Sequence, residues 1–243
     1  MNKSANEIWK EIFVLNKLSF ETLNEIIPIT IIKNVLKYPD QVREFLDNGY
    51  WWENGFDGKC SRPGKSFEFG LNTDFYFDPL VKPLTEFYEA EDILPIEIYG
   101  NCFNGNMNLH TVRSALPHVD TFPGDDQNED PRMDVAFNLN LTKSDKVKTA
   151  FYSFNNKRSV CDFDKKDYDD LKNCWNRQKK IIKEKKWFLM SDNYENYKLE
   201  YIADIDYNSM ILYPSHNWHN SYIKEDWFID EDRVTFTGFF EIV

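Results

Sequence analysis

The first hundred residues of the chain combine helical and extended patterns of apolar residues. Ile8, Ile12 and Leu15 recur at helical spacing and predict an amphipathic helix. Pro39 and Gly49 suit the first turn and the end of a second helix. A third helix is predicted between two prolines, and the alternating run IPITIIKNVL predicts a strand. The predicted helices cover residues 5–18, 39–49 and 79–91, and the strand covers residues 27–36.

From residue 96 onward the pattern changes to short β-like runs separated by polar turns. The runs are IEIYGNCF, MNLHTVRSAL, MDVAFNLNL, KTAFYSF, YIADID, MILYP and RVTFTGFFEIV. Such spacing is typical of an all-β barrel or sandwich and not of a parallel sheet with crossover helices. A charged segment at residues 162–190 predicts one long helix inserted between strands. We therefore expect a single domain over residues 1–243, with residues 1–95 supporting a β core at residues 96–243.

Composition and charge restrict where this domain works and what it binds. The chain is 42% hydrophobic, which is enough to form a core without disulfides or a structural metal. The four cysteines are widely spaced, which is typical of free thiols in a reducing compartment. Charged residues interrupt the apolar N-terminus, and no apolar run reaches the length of a membrane span, so we expect a cytoplasmic protein. A net charge of -12 opposes binding to nucleic acids or anionic membranes. The sequence does not indicate an oligomeric state.

Two of the four histidines lie in a pattern typical of a metal site. His118 and Asp120 are two residues apart in LPHVDTF, so in an extended segment both side chains point to the same face. Either His216 or His219, in MILYPSHNWHNSY, could supply a third ligand. Two histidines and one carboxylate leave one face of an octahedral ion open, which is the arrangement of non-haem iron(II) oxygenases. Zinc more often takes three histidines, or two histidines and a glutamate.

An arginine on the last apolar strand is the other unusual feature. Arg233 begins RVTFTGFFEIV, and Thr235 shares its face two residues later. The planar guanidinium matches a carboxylate through two parallel hydrogen bonds, to which a threonine hydroxyl can add a third. An alternative is that Arg233 forms an ordinary ion pair with Asp230 or Asp232.

The order of these motifs resembles that of the 2-oxoglutarate- and iron(II)-dependent dioxygenases, and especially the prolyl-4-hydroxylase-like members from bacteria and phages. The resemblance rests on LPHVDTF, KTAFYSF, MILYPSHNWHNSY and DRVTFTGFFEI, within residues 116–242. The chain departs from the family at Lys148, where a glycine is common. The resemblance implies a double-stranded β-helix, or jelly roll, with flanking helices.

The resemblance also implies a set of ligands and a reaction. Iron(II) would be held by His118, Asp120 and His219, with His219 preferred because the family places its ligand several residues after the Pro-Ser turn. Arg233 and Thr235 would bind 2-oxoglutarate, and O2 would be the second co-substrate. The products would be succinate, CO2 and a hydroxylated small molecule or peptidyl side chain. Because Asp120 is retained, hydroxylation is favoured over halogenation.

Two other functions fit parts of the pattern. One is a metal-dependent hydrolase that uses the same triad with zinc or manganese to activate water. The other is a jelly-roll binding protein without catalytic activity. Arg233 and Thr235 favour the oxygenase, because hydrolysis does not require a receptor for a dicarboxylate. Several further residues have a plain structural interpretation beside a functional one, namely His110, Arg113, Trp51, Trp52, Tyr152, Trp218 and the basic segment 177–186.

Overall fold

A computed structural model describes most of the chain. The described residues are 3–24, 27–49, 52–53, 65–68, 73–104, 117–121, 134–184, 193–194, 196–224 and 227–243. The predicted strand at residues 107–116 lies outside this part of the chain, as do His110, Arg113 and Trp51. In the part that is described, no helix is long and apolar enough to cross a membrane.

Four α-helices and twelve strands make up the described chain. The helices are α1 (Ala5–Ile12), α2 (Pro39–Asp47), α3 (Thr73–Tyr88) and α4 (Lys165–Glu184), with a 3-10 turn at Val160–Asp162. The strands are β1 (Phe20–Asn24), β2 (Ile29–Ile32), β3 (Trp52–Glu53), β4 (Lys65–Glu68), β5 (Ile93–Phe103), β6 (Val135–Asn140), β7 (Lys148–Phe154), β8 (Asn193–Tyr194), β9 (Tyr197–Asp204), β10 (Met210–Pro214), β11 (His219–Ser221) and β12 (Arg233–Ile242).

The strands form two antiparallel sheets. The larger sheet has the order β1-β2-β10-β6-β12-β5-β4-β3, and the smaller has the order β11-β7-β9-β8. One apolar cluster fills the space between the two sheets, a second packs α1, α2 and α3 on the outside of the larger sheet, and a third packs α4 on the outside of the smaller sheet. This architecture confirms the predicted jelly-roll core with flanking helices.

Strand β12 shows how the alternating pattern places the functional residues. Its even-numbered residues Val234 and Phe236 belong to the cluster under the helices. Side chains alternate between the two faces of a strand, so Arg233, Thr235 and Thr237 face the opposite sheet. All three are buried. The last strand therefore carries a polar face into the interior of the jelly roll.

The largest differences from the predicted helix boundaries are at the end of α1 and at the start of α3. Helix α1 ends at Ile12 and does not reach residue 18, because Leu15 pairs with Leu36 in a short β-bridge. Helix α3 begins at Thr73, so Pro79 lies inside the helix and does not start it. Proline removes one helical hydrogen bond. Residues on both sides of Pro79, including Phe77 and Leu80, are fully buried against the larger sheet, and this packing offsets the lost bond.

Candidate active site

Backbone pairing brings the two histidine-bearing segments together. His118 and His219 form an isolated antiparallel bridge, in which each N–H donates to the carbonyl of the other at 2.9 Å. The N–H of Asp120 donates to the carbonyl of Ser215, in the turn after β10, also at 2.9 Å. These three bonds fix the His-x-Asp segment beside the start of β11. Residues about 100 positions apart in the chain thus meet at one end of the jelly roll.

The three side chains converge as the ligands of one ion would. Nε2 of His219 lies 3.3 Å from Oδ2 of Asp120, and Nε2 of His118 lies 3.8 Å from Oδ1 of the same carboxylate. One potential ligand atom from each residue lies within 4.8 Å of the other two. Bonds of about 2.1 Å to one ion would separate neighbouring ligands by about 3 Å. Small adjustments of these side chains would complete such a site.

The orientation and charge of His219 suit a ligand. Its Nδ1 is 2.9 Å from the carbonyl oxygen of Asn217, so Nδ1 carries the proton and Nε2 keeps its lone pair toward Asp120. The ring is buried, and burial lowers the pKa of His219 to about 4 although the Asn217 carbonyl acts in the opposite direction. The imidazole is therefore neutral at physiological pH and can donate its lone pair to a metal.

Arg233 has an unused pair of donors inside the jelly roll. Its side chain is only 1% exposed, and its Nε and Nη2 atoms have no hydrogen-bond partner among the described residues. These two atoms form one edge of the guanidinium, where two parallel N–H groups match one carboxylate. The alternative ion pair with Asp230 or Asp232 is not formed. Asp232 instead accepts a hydrogen bond from Asn104.

Burial acts on Arg233 as it would on any cation without a partner. It lowers the pKa of Arg233 to about 10, although the phenols of Tyr213 and Tyr99 act in the opposite direction. The guanidinium is still charged at pH 7. Thr235 is fully buried beside it, and its hydroxyl lies 3.3 Å from that of Thr237. Arg233 and Thr235 together fit the carboxylate end of a ligand that enters between the sheets.

Sequence reasoning missed several polar residues on the same interior face. Asn101 on β5 is paired with Thr235, and Asn138 on β6 is paired with Thr237. The Oδ1 atoms of Asn101 and Asn138 are buried without a hydrogen-bond partner in the described chain. Polar residues within the apolar runs VAFNLN and IYGNCF were a signal of this face. That these two asparagines lie opposite Thr235 and Thr237 is visible only in the strand register of the folded protein.

Tyr213 is the other missed residue, on β10 two positions before Ser215. The centroid of its ring lies 4.7 Å from that of His219 and 5.2 Å from that of Phe151. Burial raises the pKa of Tyr213 well above its ordinary value, the Asp120 carboxylate and Tyr99 raise it further, and Arg233 acts in the opposite direction. Asp120 and Arg233 therefore both act on the phenol of Tyr213.

Other candidate residues lie away from the three convergent side chains. His216 is half-buried, and its pKa is lowered by burial while Asp134 and Asp162 act in the opposite direction. His216 does not join the potential metal ligands. Tyr152 and Trp218 belong to the apolar cluster on the outside of the smaller sheet, as their core interpretation predicts.

The comparisons with known proteins concern the fold. Neither a protein family model nor a curated protein sequence matches the chain. The chain is similar in structure to HygX from Streptomyces hygroscopicus, solved with nickel and 2-oxoglutarate bound, with 12% identity and a TM-score of 0.50. The match covers 89% of this chain and 84% of HygX. The two proteins share a fold. The fold predicted from the resemblance to 2-oxoglutarate-dependent dioxygenases is thereby confirmed.

Two more distant structures also match. One is an N-substituted L-amino acid dioxygenase from Burkholderia ambifaria, with 11% identity, a TM-score of 0.41, and coverage of 87% of this chain and 81% of that protein. The other is a prolyl-4-hydroxylase from Pseudomonas putida, with 11% identity, a TM-score of 0.30, and coverage of 93% of this chain and 78% of that protein. At these scores they add no argument to the likeness with HygX.

Proposed function

We propose that this chain is a non-haem iron(II)- and 2-oxoglutarate-dependent oxygenase that hydroxylates a small molecule or a peptidyl side chain. The observation that carries the proposal is the unpartnered donor edge of Arg233, buried between the sheets that also hold the three convergent side chains. A buried cation with two unused donors is unfavourable for folding alone. A carboxylate ligand that accepts hydrogen bonds from both donors would offset this unfavourable free energy.

Each residue then has a separate role. His118, Asp120 and His219 would hold iron(II), and Arg233 with Thr235 would hold the far carboxylate of 2-oxoglutarate. When bound, iron(II) and 2-oxoglutarate would together supply the electrons that reduce O2 to an oxidising species, with release of succinate and CO2. The protein contributes binding and orientation: the hydrogen bond from His219 to Asn217 fixes the imidazole, and the buried walls exclude water from the co-substrate.

The charges of the site match this co-substrate. Iron(II) contributes two positive charges, Asp120 removes one, neutral His118 and His219 change nothing, and Arg233 adds one. The resulting charge of about +2 balances the two carboxylates of 2-oxoglutarate in an interior where unbalanced charge is costly.

The alternatives explain less of the site. A metal-dependent hydrolase would use the triad but leaves Arg233 and Thr235 without a role, and a binding protein without catalysis leaves the convergence of the three ligands without a purpose. The net charge of -12 argues against a nucleic-acid partner. Location in the cytoplasm and organisation as a single domain stay predictions from the sequence.

Calorimetry with nickel(II) as an oxygen-inert substitute for iron tests the proposal. We expect one metal ion per wild-type chain, and binding of 2-oxoglutarate only after the metal is added. His219→Ala should lose metal binding. His216→Ala is the matched control, since His216 lies three residues away and is not among the convergent side chains, and it should bind metal as the wild type does. Equal metal loss in both variants, or 2-oxoglutarate binding that ignores the metal, would contradict the proposal.

A further inference from the structure

A buried serine connects the His-x-Asp segment to the end of β10. Ser215 lies in the turn after β10 and is fully buried, and its Oγ atom is 3.3 Å from Oγ1 of Thr121. Thr121 directly follows the candidate metal ligand Asp120, whereas Ser215 lies 94 residues further along the chain. The hydrogen bond between the two hydroxyls therefore joins the candidate metal-binding segment to a turn that is distant in sequence.

The backbone of Ser215 holds the same segment. Its carbonyl oxygen accepts a hydrogen bond from the N–H of Asp120 at 2.9 Å, and its own N–H donates to the carbonyl of Asp134 at 3.1 Å. The carbonyl and the hydroxyl belong to one buried residue, so neither can move far without the other. Ser215 thus contacts Asp120 at its amide and also contacts the side chain of the residue that follows it.

The carboxylate of Asp120 is the group that these contacts can position. It lies between two imidazoles, with Oδ2 at 3.3 Å from Nε2 of His219 and Oδ1 at 3.8 Å from Nε2 of His118. An aspartate side chain has two rotatable bonds, so the position of its oxygens follows closely from that of its backbone. A metal site requires its ligands to lie within about 0.5 Å of the binding geometry, which neighbouring hydrogen bonds maintain.

The hydroxyl of Ser215 adds a contact that the turn itself does not require. An alanine at this position would keep both backbone hydrogen bonds, to Asp120 and to Asp134, and would lose the bond to Thr121. What the hydroxyl provides is a second attachment of the segment, on the far side of Asp120 from its amide.

We infer that Ser215 is a positioning residue for the metal site and acts through Thr121. The hydrogen bond between the two hydroxyls holds the Asp120 carboxylate where it can share one ion with His118 and His219. The inference rests on the proposed function, because it takes these three residues as the metal ligands. It also gives the serine of the Pro-Ser turn a role of its own.

The test is nickel(II) affinity, measured by calorimetry with two substitutions that separate the hydroxyl of Thr121 from its methyl group. Thr121→Val keeps the shape of the side chain but loses the hydroxyl, and it should bind nickel(II) about tenfold more weakly. Thr121→Ser keeps the hydroxyl and should bind nickel(II) as the wild type does. If Thr121 contributed only packing, the valine variant would bind better than the serine variant.

Ser215→Ala completes a double-mutant cycle with Thr121→Val. It should weaken nickel(II) binding by a similar factor of about tenfold. The double variant should bind no more weakly than either single variant, because both substitutions remove the same hydrogen bond.

Thr142→Val is the matched control. Thr142 is also buried, and its hydroxyl accepts from the N–H of Val234 at 2.7 Å and donates to the carbonyl of Val234 at 3.2 Å. These bonds lie at the start of β12 and not at the metal ligands. This variant should therefore melt at a lower temperature than the wild type and keep its affinity for nickel(II).

Three results would overturn the inference. They are wild-type nickel(II) affinity in Thr121→Val, losses that add up in the double variant, and a lower melting temperature of Ser215→Ala with unchanged affinity. If instead the wild type does not bind nickel(II), or binds it no better than His219→Ala does, the proposed function itself fails.

Discussion

Replacing Arg233 with methionine should change the stability of the unliganded protein and its affinity for 2-oxoglutarate in opposite directions. Methionine keeps much of the length and apolar stem of the arginine but has no charge and no N–H donors. If the guanidinium is present to bind a carboxylate ligand, its removal should stabilise the unliganded protein. If the guanidinium instead stabilises the fold, its removal should destabilise the protein.

The expected gain in stability follows from the burial of the cation. The pKa of Arg233 is lowered by burial from 12.5 to about 10. A depression of this size corresponds to about 3 kcal/mol of unfavourable free energy for the charged form in the folded state. Methionine removes this penalty but packs less well than a native side chain. We therefore expect Arg233→Met to raise the free energy of unfolding at pH 7 by about 1–3 kcal/mol.

The expected loss of affinity follows from the two unused donors. Two charge-assisted hydrogen bonds to one carboxylate contribute about 3 kcal/mol or more, so the variant should bind 2-oxoglutarate about 150-fold more weakly or worse. At a co-substrate concentration 100 times its dissociation constant, the wild type gains about 2.7 kcal/mol of stability, and the variant should gain less than about 0.5 kcal/mol.

Urea denaturation of the nickel-loaded protein, with and without 2-oxoglutarate, measures both effects. Arg158→Met is the control, because Arg158 is exposed and forms a weak ion pair, with its Nη2 atom 3.9 Å from Oε2 of Glu200. It should change neither quantity appreciably. A loss of about 2 kcal/mol of stability in unliganded Arg233→Met, or an unchanged affinity for 2-oxoglutarate, would contradict this role for Arg233.

Two further predictions concern the fold around the site. Gly238→Ala should lower the urea midpoint by an amount equivalent to about 1–3 kcal/mol, because a Cβ there would meet the carbonyl oxygen of Glu97 at 2.6 Å and the ring of Phe137 at 2.7 Å; an unchanged midpoint would disprove the close packing. Asp167→Asn should destabilise the protein by about 2 kcal/mol at pH 6 and by roughly half as much at pH 3. Burial alone would raise the pKa of Asp167, but hydrogen bonds from Lys157, Asn155 and the backbone of Asp164 lower it to about 2. This stabilisation is therefore complete above the unfolded pKa near 4 and is lost as the pH falls toward 2; an equal difference at both pH values would contradict this account.

Local patterns were enough to predict an all-β barrel or sandwich and the polar face of its last strand, whereas the jelly roll was predicted from the family resemblance. The alternation in RVTFTGFFEIV places Arg233 and Thr235 on one face whatever the strand pairs with. The helix that starts at Pro39 also follows from local rules, since proline is favoured in the first turn.

The helix boundaries that were predicted wrongly and the site residues that were missed depend on contacts with residues far away in the sequence. Helix α1 stops early because Leu15 pairs with Leu36, and helix α3 includes Pro79 because the larger sheet buries the residues around it. Tyr213 and Asn138 gain their positions beside the site from strand register, which spacing along the chain does not contain. The three candidate metal ligands were selected from the sequence, whereas the bridge between His118 and His219 that joins them is visible only in the fold.

The central claim is that one ion held by the triad and one 2-oxoglutarate held by Arg233 share the interior of this jelly roll. Anaerobic titration of the iron(II)-loaded protein with 2-oxoglutarate, followed by visible absorption, tests it most directly. We expect the wild type to develop a weak metal-to-ligand charge-transfer band that saturates at one 2-oxoglutarate per chain, and we expect His118→Ala to show none. Absence of the band in the wild type, or the same band in His118→Ala, would contradict the claim.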